Sequence, residues 1–287
     1  MYFFVLKRKF ILIMFSLILV MFLTFSFSKA SHVETSQQMQ DGVFVPVLMY
    51  HSILKDPSAA GKYVVSPQTL EADLKYLKEK GYTTVLSSDL VAYVDEGKPL
   101  PEKPVIITFD DGHANNLLYA LPIFEKLDMC GVICIVGKYS ESASLSEDHH
   151  PSYAYLSWDE INILKTSGRF EIANHSYDMH KSAARKGTKI QAGEDCYVYN
   201  EKLKTDLEKT QKLLLENCNT TPIAFSYPFG AVCSQSLPVV RDVGFRVSYG
   251  CAEKVNYITD DASLYCLGRF NRASGMSTYE FMQKVLK

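Results

Sequence analysis

From residue 43 onward the chain alternates between two rhythms of hydrophobic and polar positions. Short apolar runs of strand length fall at residues 45–50, 105–109, 131–136, 170–173, 223–227 and 246–249, and a last one is expected at 264–267. Helical patterns lie between them. Ser66 and Pro67 open one helix as N-cap and first-turn residue, Leu70, Leu74 and Leu77 form its inner stripe, and Gly81 closes it. Further helices are expected over residues 116–127, 158–165, 201–216, 237–243 and 278–286. Strand and helix in regular alternation predict an α/β fold around a parallel sheet. About seven such units point to a distorted (β/α)7 barrel, with a doubly wound open sheet as the alternative. Polar stretches 137–157 and 181–199 read as loops that shape a groove.

The first thirty residues follow neither rhythm. Lys7, Arg8 and Lys9 precede an apolar run from Phe10 to Phe27 broken only by small hydroxyl residues, and Ser28-Lys29-Ala30 offers small residues for cleavage. The run is longer than a usual signal core and approaches a bilayer span, so a cleaved signal and an uncleaved anchor are both open. Either way the basic residues stay inside and the rest crosses. Residues 31–42 read as a stalk, and residues 43–287 as one catalytic domain.

Charge sharpens this picture. The whole chain carries −2, and residues 1–30 hold four cations and no acid, so the remainder carries −6. An acidic extracytoplasmic domain gives no footing for nucleic acid, and contact with a membrane is expected only through the N-terminal segment. The hydrophobic fraction of 47% excludes global disorder. Seven cysteines leave at least one thiol unpaired, and Cys130 and Cys134, ~13 Å apart along an extended strand, are beyond disulfide reach. Most are expected to be small buried hydrophobes.

The chemistry gathers at strand ends. Ile106-Ile107-Thr108-Phe109 runs into Asp110-Asp111-Gly112, and two carboxylates after a buried strand are costly unless they bind a cation or move protons. Adjacent residues on an extended chain face opposite ways, so the pair can divide the work. His175 and His180, in Asn174-His175-Ser176-Tyr177-Asp178-Met179-His180, can converge on a metal once the chain turns, or be unrelated surface residues. Asp178 between them either orients an imidazole or caps a turn. Ser226-Tyr227-Pro228-Phe229-Gly230 is a stiff turn able to aim N–H groups at an oxyanion. His51 ends the first strand, where, taken alone, a satisfied structural histidine is the better reading. Arg269, just beyond the expected last strand, either lowers a carboxylate's pKa or forms a surface pair.

Together the TFDDG, NHSYDMH and SYPFG segments resemble the polysaccharide deacetylase family (NodB homology, carbohydrate esterase 4) over roughly residue 45 to the C-terminus. The resemblance implies a distorted barrel and a divalent metal, usually zinc, that removes N-acetyl groups from amino sugars. By position it makes Asp110 the catalytic base, Asp111, His175 and His180 the metal ligands, and Phe229 the residue whose N–H holds the oxyanion. Three features depart from the common pattern. The histidines are five residues apart, Ser226 stands where an arginine is usual, and no histidine follows His180. All three suit the circularly permuted branch related to bacterial poly-N-acetylglucosamine deacetylases. In that branch a protonated His51 becomes the general acid, and Arg269 takes the missing arginine's role.

The implied substrate is an N-acetylglucosamine-containing extracellular or cell-wall glycan, with zinc first among the candidate metals, although the ligand set also admits cobalt, nickel and manganese. Tyr50, Tyr177, Tyr227, Phe229 and Phe270 are expected to supply sugar-binding faces, with ordinary core packing as the alternative. The alternatives are a non-catalytic glycan-binding module and an amidohydrolase of small or peptide-like amides. The first needs a broken ligand set, whereas here all three ligand positions are filled.

Overall fold

A computed structural model describes residues 42–181 and 185–286; the expected export segment 1–30 and the stalk up to residue 41 lie outside the described residues. Among the described residues no helix is long and apolar enough to cross a membrane.

The continuous apolar runs become strands covered on both faces, as parallel sheets require. They are β1 Val47–Tyr50, β2 Pro104–Phe109, β3 Gly131–Ile135, β4 Phe170–Asn174, β5 Ala224–Ser226, β6 Val247–Tyr249 and β7 Phe270–Asn271. All pair in parallel, in the order β6-β5-β4-β3-β2-β1-β7, and the short strand Thr83–Thr84 pairs with the start of β2. Laying each strand from β1 to β6 beside the last is barrel order; a doubly wound sheet reverses direction in its middle. The segment before β7 reaches both edges. Leu267 bridges to Tyr249 of β6, while Phe270 pairs with Leu48 of β1, so the sheet curls round on itself.

Period-two alternation then sorts the side chains of β1 to β4 between two of three hydrophobic clusters, the third gathering Phe225 of β5 with the helix Cys196–Cys218. Val47, Ile106, Val132, Ala173, Ala224 and Val247 share one cluster with Tyr249 and Leu267. Leu48, Ile107, Ile133 and Ile172 enter another, with Leu70, Leu74, Leu77, Phe124 and Phe281 from the helices. Full burial of a Leu or Ile side chain contributes roughly 1.5–3 kcal/mol. These two layers therefore fix the strand ends on which the site is built.

The helices are α1 Pro67–Glu79, α2 Ser87–Glu96, α3 Leu121–Leu127, α4 Gly137–Ser144, α5 Trp158–Thr166, α6 Cys196–Cys218, α7 Ser236–Asp242 and α8 Thr278–Val285. Ser66 caps α1 as expected, its Oγ accepting from the Thr69 N–H at 3.1 Å. A π-helical turn, Asn116–Ala120, precedes α3. Three expectations need correction. The expected strand at 264–267 is a 3-10 turn, Asp261–Leu264, followed by a lone bridge, because Cys266 takes φ 55° and breaks the extended run. Helix α6 begins at Cys196 rather than 201, capped by the Asp195 carboxylate; Tyr197 and Val198 on its first turn are exposed and carry no inward stripe. Helix α4 occupies part of the expected loop 137–157, its Ser- and Ala-rich sequence showing no apolar periodicity.

All seven cysteines are free, but only Cys134 and Cys218 are buried, so most of them are not core residues. They sit mainly in strand-end loops, where half-exposure is the rule.

Candidate active site

Strand β2 delivers the first two groups. Ile106, Thr108 and Asp110 alternate onto the inner face, and Asp110 is buried at the top of the curled sheet. Asp111 would point away, but its φ of 71° turns the chain and brings its carboxylate back over the strand ends. Such a backbone in a non-glycine residue costs of order 1–3 kcal/mol and recurs at functional sites. Strand β4 ends at Asn174 and delivers His175 just beyond it, and Ser176 takes φ 70° to start the turn that returns His180. Phe229, after β5, is a third such residue at φ 58°.

These turns bring Asp111, His175 and His180 together. One ligand atom from each lies within 4.8 Å of the others. Asp111 Oδ1 is 3.0 Å from His180 Nε2 and 3.4 Å from His175 Nε2, and it is buried without a hydrogen-bond partner. His175 Nδ1 lies 2.8 Å from the Ser226 carbonyl, which can only accept; the proton therefore sits on Nδ1 and Nε2 keeps its lone pair. Two imidazole nitrogens and an orphaned carboxylate oxygen facing one point form a donor set that fits a divalent cation. The unrelated-surface-histidine alternative fails on this geometry. Among the described residues Asp178 touches neither imidazole: its Oδ2 pairs with Lys138 at 3.1 Å and Lys181 at 2.6 Å.

Beneath this cluster lies Arg269, wholly buried and therefore no surface pair. It enters ahead of β7 rather than beyond a strand. Its Nη1 and Nη2 fork onto Asp110 at 2.8 and 2.7 Å, Nη2 also meets Ser226 Oγ at 3.0 Å, Nη1 meets Thr108 Oγ1 at 3.1 Å, and Nε meets the Gly250 carbonyl at 2.8 Å. All five guanidinium donors are used. Ser226 is small enough to admit the guanidinium from below, and it completes the grip by donating to Asp110 Oδ1 at 3.2 Å.

The electrostatics follow. Burial pushes Asp110 up, but the Arg269 charge and its hydrogen bonds outweigh it and leave the carboxyl far below its ordinary range. Burial likewise opposes ionisation of Asp111, and the imidazoles of His113, His175 and His180 around it carry it well below normal. His51 is pushed down by burial against the pull of Asp110 and Asp111, so its resting form is neutral; the expected protonated acid must be generated during turnover. Its Nδ1 is buried without a partner, and its ring packs on Tyr63 at 4.6 Å.

A cavity of about 620 Å3 opens over this constellation, lined by His51, Asp110, Asp111, His175, His180 and Phe229. Of the aromatics expected to face a sugar, only Phe229 lines it. Tyr50, Tyr227 and Phe270 are core residues, and the Tyr177 hydroxyl donates to Glu141. Tyr63 supplies the other aromatic wall. Three residues that sequence patterns missed adjoin the centre. His113 Nε2 is 3.5 Å from Asp111 Oδ2, its ring stacks on Tyr155, and Tyr155 stacks on Tyr139, whose hydroxyl is 3.4 Å from His180 Nδ1. Only the position of His113 just after the carboxylate pair could have marked it.

A curled parallel sheet bearing carboxylates and histidines at its strand ends is an arrangement shared with α/β-barrel enzymes, whose chemistry sits at that face. Comparison with known proteins narrows the class. The polysaccharide deacetylase family profile matches residues 97–248, and the chain belongs to that family. YxkH of Bacillus subtilis (strain 168), named as a candidate polysaccharide deacetylase, is 26% identical over 83% of this chain and 74% of its own. The poly-beta-1,6-N-acetyl-D-glucosamine N-deacetylase of Staphylococcus aureus (strain MRSA252) is 24% identical over 72% of this chain and 67% of its own. Among solved structures, a de-N-acetylase from Aggregatibacter actinomycetemcomitans shares the fold with a TM-score of 0.71 at 21% identity, covering 84% of this chain and 100% of that one.

Proposed function

We propose that the protein is a metal-dependent hydrolase that removes N-acetyl groups from an N-acetylglucosamine-containing extracellular or cell-wall polysaccharide, using a distorted (β/α)7 barrel as its scaffold. The observation that carries this reading is the convergence of Asp111, His175 and His180 within 4.8 Å, directly above an Asp110 gripped by Arg269. The imidazole-rich set suits zinc first. Export through the basic-then-apolar N-terminal segment puts the domain where such a polymer lies, with the membrane met only by that segment.

A divalent cation held by these three ligands supplies a Lewis acid for the acetamide carbonyl and acidifies a water. The remaining work falls to the chain. Asp110 Oδ1 accepts from Arg269 and Ser226, whereas Oδ2 accepts only from Arg269 and keeps a lone pair for the water's proton. A carboxylate held so far below its usual range does not retain that proton. Neutral His51, on the same cavity wall, takes one up and delivers it to the departing amine, which leaves poorly without protonation. The Phe229 N–H stabilises the developing oxyanion, and the Phe229 ring, 4.5 Å from that of His180, holds the ligand in place.

The test is acetate release from N-acetylglucosamine oligomers by the purified protein, with chelator and with metal restored. Activity is expected to vanish and return. Protein that binds no metal and releases no acetate after reconstitution refutes the reading.

A further inference from the structure

The cavity contains charges that the deacetylation chemistry does not use. Lys62 and Lys186 both line it, both are exposed, and neither has a carboxylate within 4 Å among the described residues. The carboxylates on the same wall are already engaged. Asp110 belongs to Arg269, Asp111 faces the histidines, and Glu253 pairs with Lys284 at 2.5 Å. Lys62 is also not a wandering surface residue. Asn271 Nδ2 donates to the Lys62 carbonyl at 2.9 Å, the neighbouring Gly61 carbonyl accepts from Ser274 N–H at 3.0 Å, and the ammonium lies 5.0 Å from the Tyr63 ring centre. Tyr63 in turn packs on His51, so the backbone at Lys62 is fixed and its ammonium lies one aromatic ring away from a proposed catalytic residue.

This positive mouth sits on a domain whose residues 31–287 carry −6, so it is a local feature and not a general basic surface. Two uncompensated cations at the entrance disfavour a chain that becomes cationic as it is deacetylated. They favour one that brings negative charge with it.

We propose that the polymer acted on by this protein carries anionic substituents on the sugars flanking the target acetamide, and that Lys62 and Lys186 recognise them. The proposal rests on the deacetylase reading of the same site and names its substrate class. Two unit charges ~7 Å apart in water attract enough for about a threefold gain per contact, and two contacts give roughly tenfold. An effect carried by exposed charges fades when salt shortens the screening length to ~3 Å near 1 M.

The experiment compares kcat/KM for acetate release from three oligomers of equal length: neutral N-acetylglucosamine, the same chain with carboxylate ethers on alternate sugars, and the same chain with phosphate esters. The full protein and K62Q/K186Q are assayed at low and high salt. The expected result is a roughly tenfold preference for an anionic oligomer at low salt, lost in the double variant and at high salt, with the better of the two arms identifying the anion. Equal turnover of neutral and anionic oligomers by the unmodified protein overturns the proposal, as does a preference that survives in K62Q/K186Q. Calorimetric binding of the same oligomers to chelator-treated protein separates the two readings. If no oligomer is hydrolysed, the deacetylase reading fails. Anionic binding that disappears in the double variant then still supports the lysine assignment, and its absence overturns that too.

Discussion

Replacing Arg269 with methionine tests whether the buried fork is what keeps Asp110 ionised. The variant retains an unbranched chain of similar length but removes five donors from a site with no solvent access. Breaking a buried ion pair from one side costs about 3–5 kcal/mol, because the remaining charge is left uncompensated. At ~2–4 °C per kcal/mol for a domain of this size, the melting temperature of chelator-treated protein falls by roughly 6–20 °C. The pH dependence is more telling. In the unmodified protein the folded Asp110 pKa is depressed, so its contribution is fully present above the unfolded value of ~3.9 and is lost as pH falls through the folded one. Without Arg269, burial dominates and raises the folded pKa above the unfolded one. The unfolded state then ionises first, and stability falls as pH rises from about 4. The gap between the two proteins should therefore widen between pH 4 and neutrality. D110N/R269M, which deletes the stranded charge, should recover at least half the loss. Thermal melts across that range decide the matter. A single variant within about 3 °C of the parent, or a double variant no more stable than the single, refutes the reasoning.

Other outcomes follow from the same geometry. Asp110→Asn should still bind metal through Asp111, His175 and His180 but lose ~10²–10⁴-fold in kcat, measured by acetate release alongside metal content. His51→Ala should lower kcat over a similar ~10²–10⁴ range. It should also abolish the acidic limb of the parent's pH profile, which rises through a pKa below the ordinary histidine value because His51 must be neutral at rest. Adding zinc to chelator-treated protein at ~100 times its dissociation constant should stabilise the fold by about 2.7 kcal/mol, read as a rise in melting temperature that is absent when His175 is alanine.

The elements legible in the sequence are those whose pattern matches their environment. Strands β2 and β3 are covered on both faces and appear as unbroken apolar runs; α1 carries its cap, its stripe and its terminating glycine. Elements stabilised from elsewhere left little local signal. Helix α4 has no apolar stripe, and β7 is two residues long, formed where the chain crosses from β6 to β1. The site divides the same way. A carboxylate pair closing a buried strand is conspicuous because its cost must be offset locally. His113, Tyr155 and Tyr139 are held by stacking between segments distant in sequence, which no spacing rule reports.

Arg269 shows why the order of residues along the chain matters less than the point in space each one reaches. The end of β5 carries Ser226 where the common family pattern has an arginine, and by itself that absence suggests a damaged site. The guanidinium arrives instead through the seam where the ends of the sheet meet, and donates to both Asp110 and Ser226. A second arginine at 226 would place two cations on a carboxylate whose acceptor sites are nearly filled, inside a space that excludes solvent. Serine at 226 and arginine at 269 are thus one solution: the short side chain makes the room that the long one occupies.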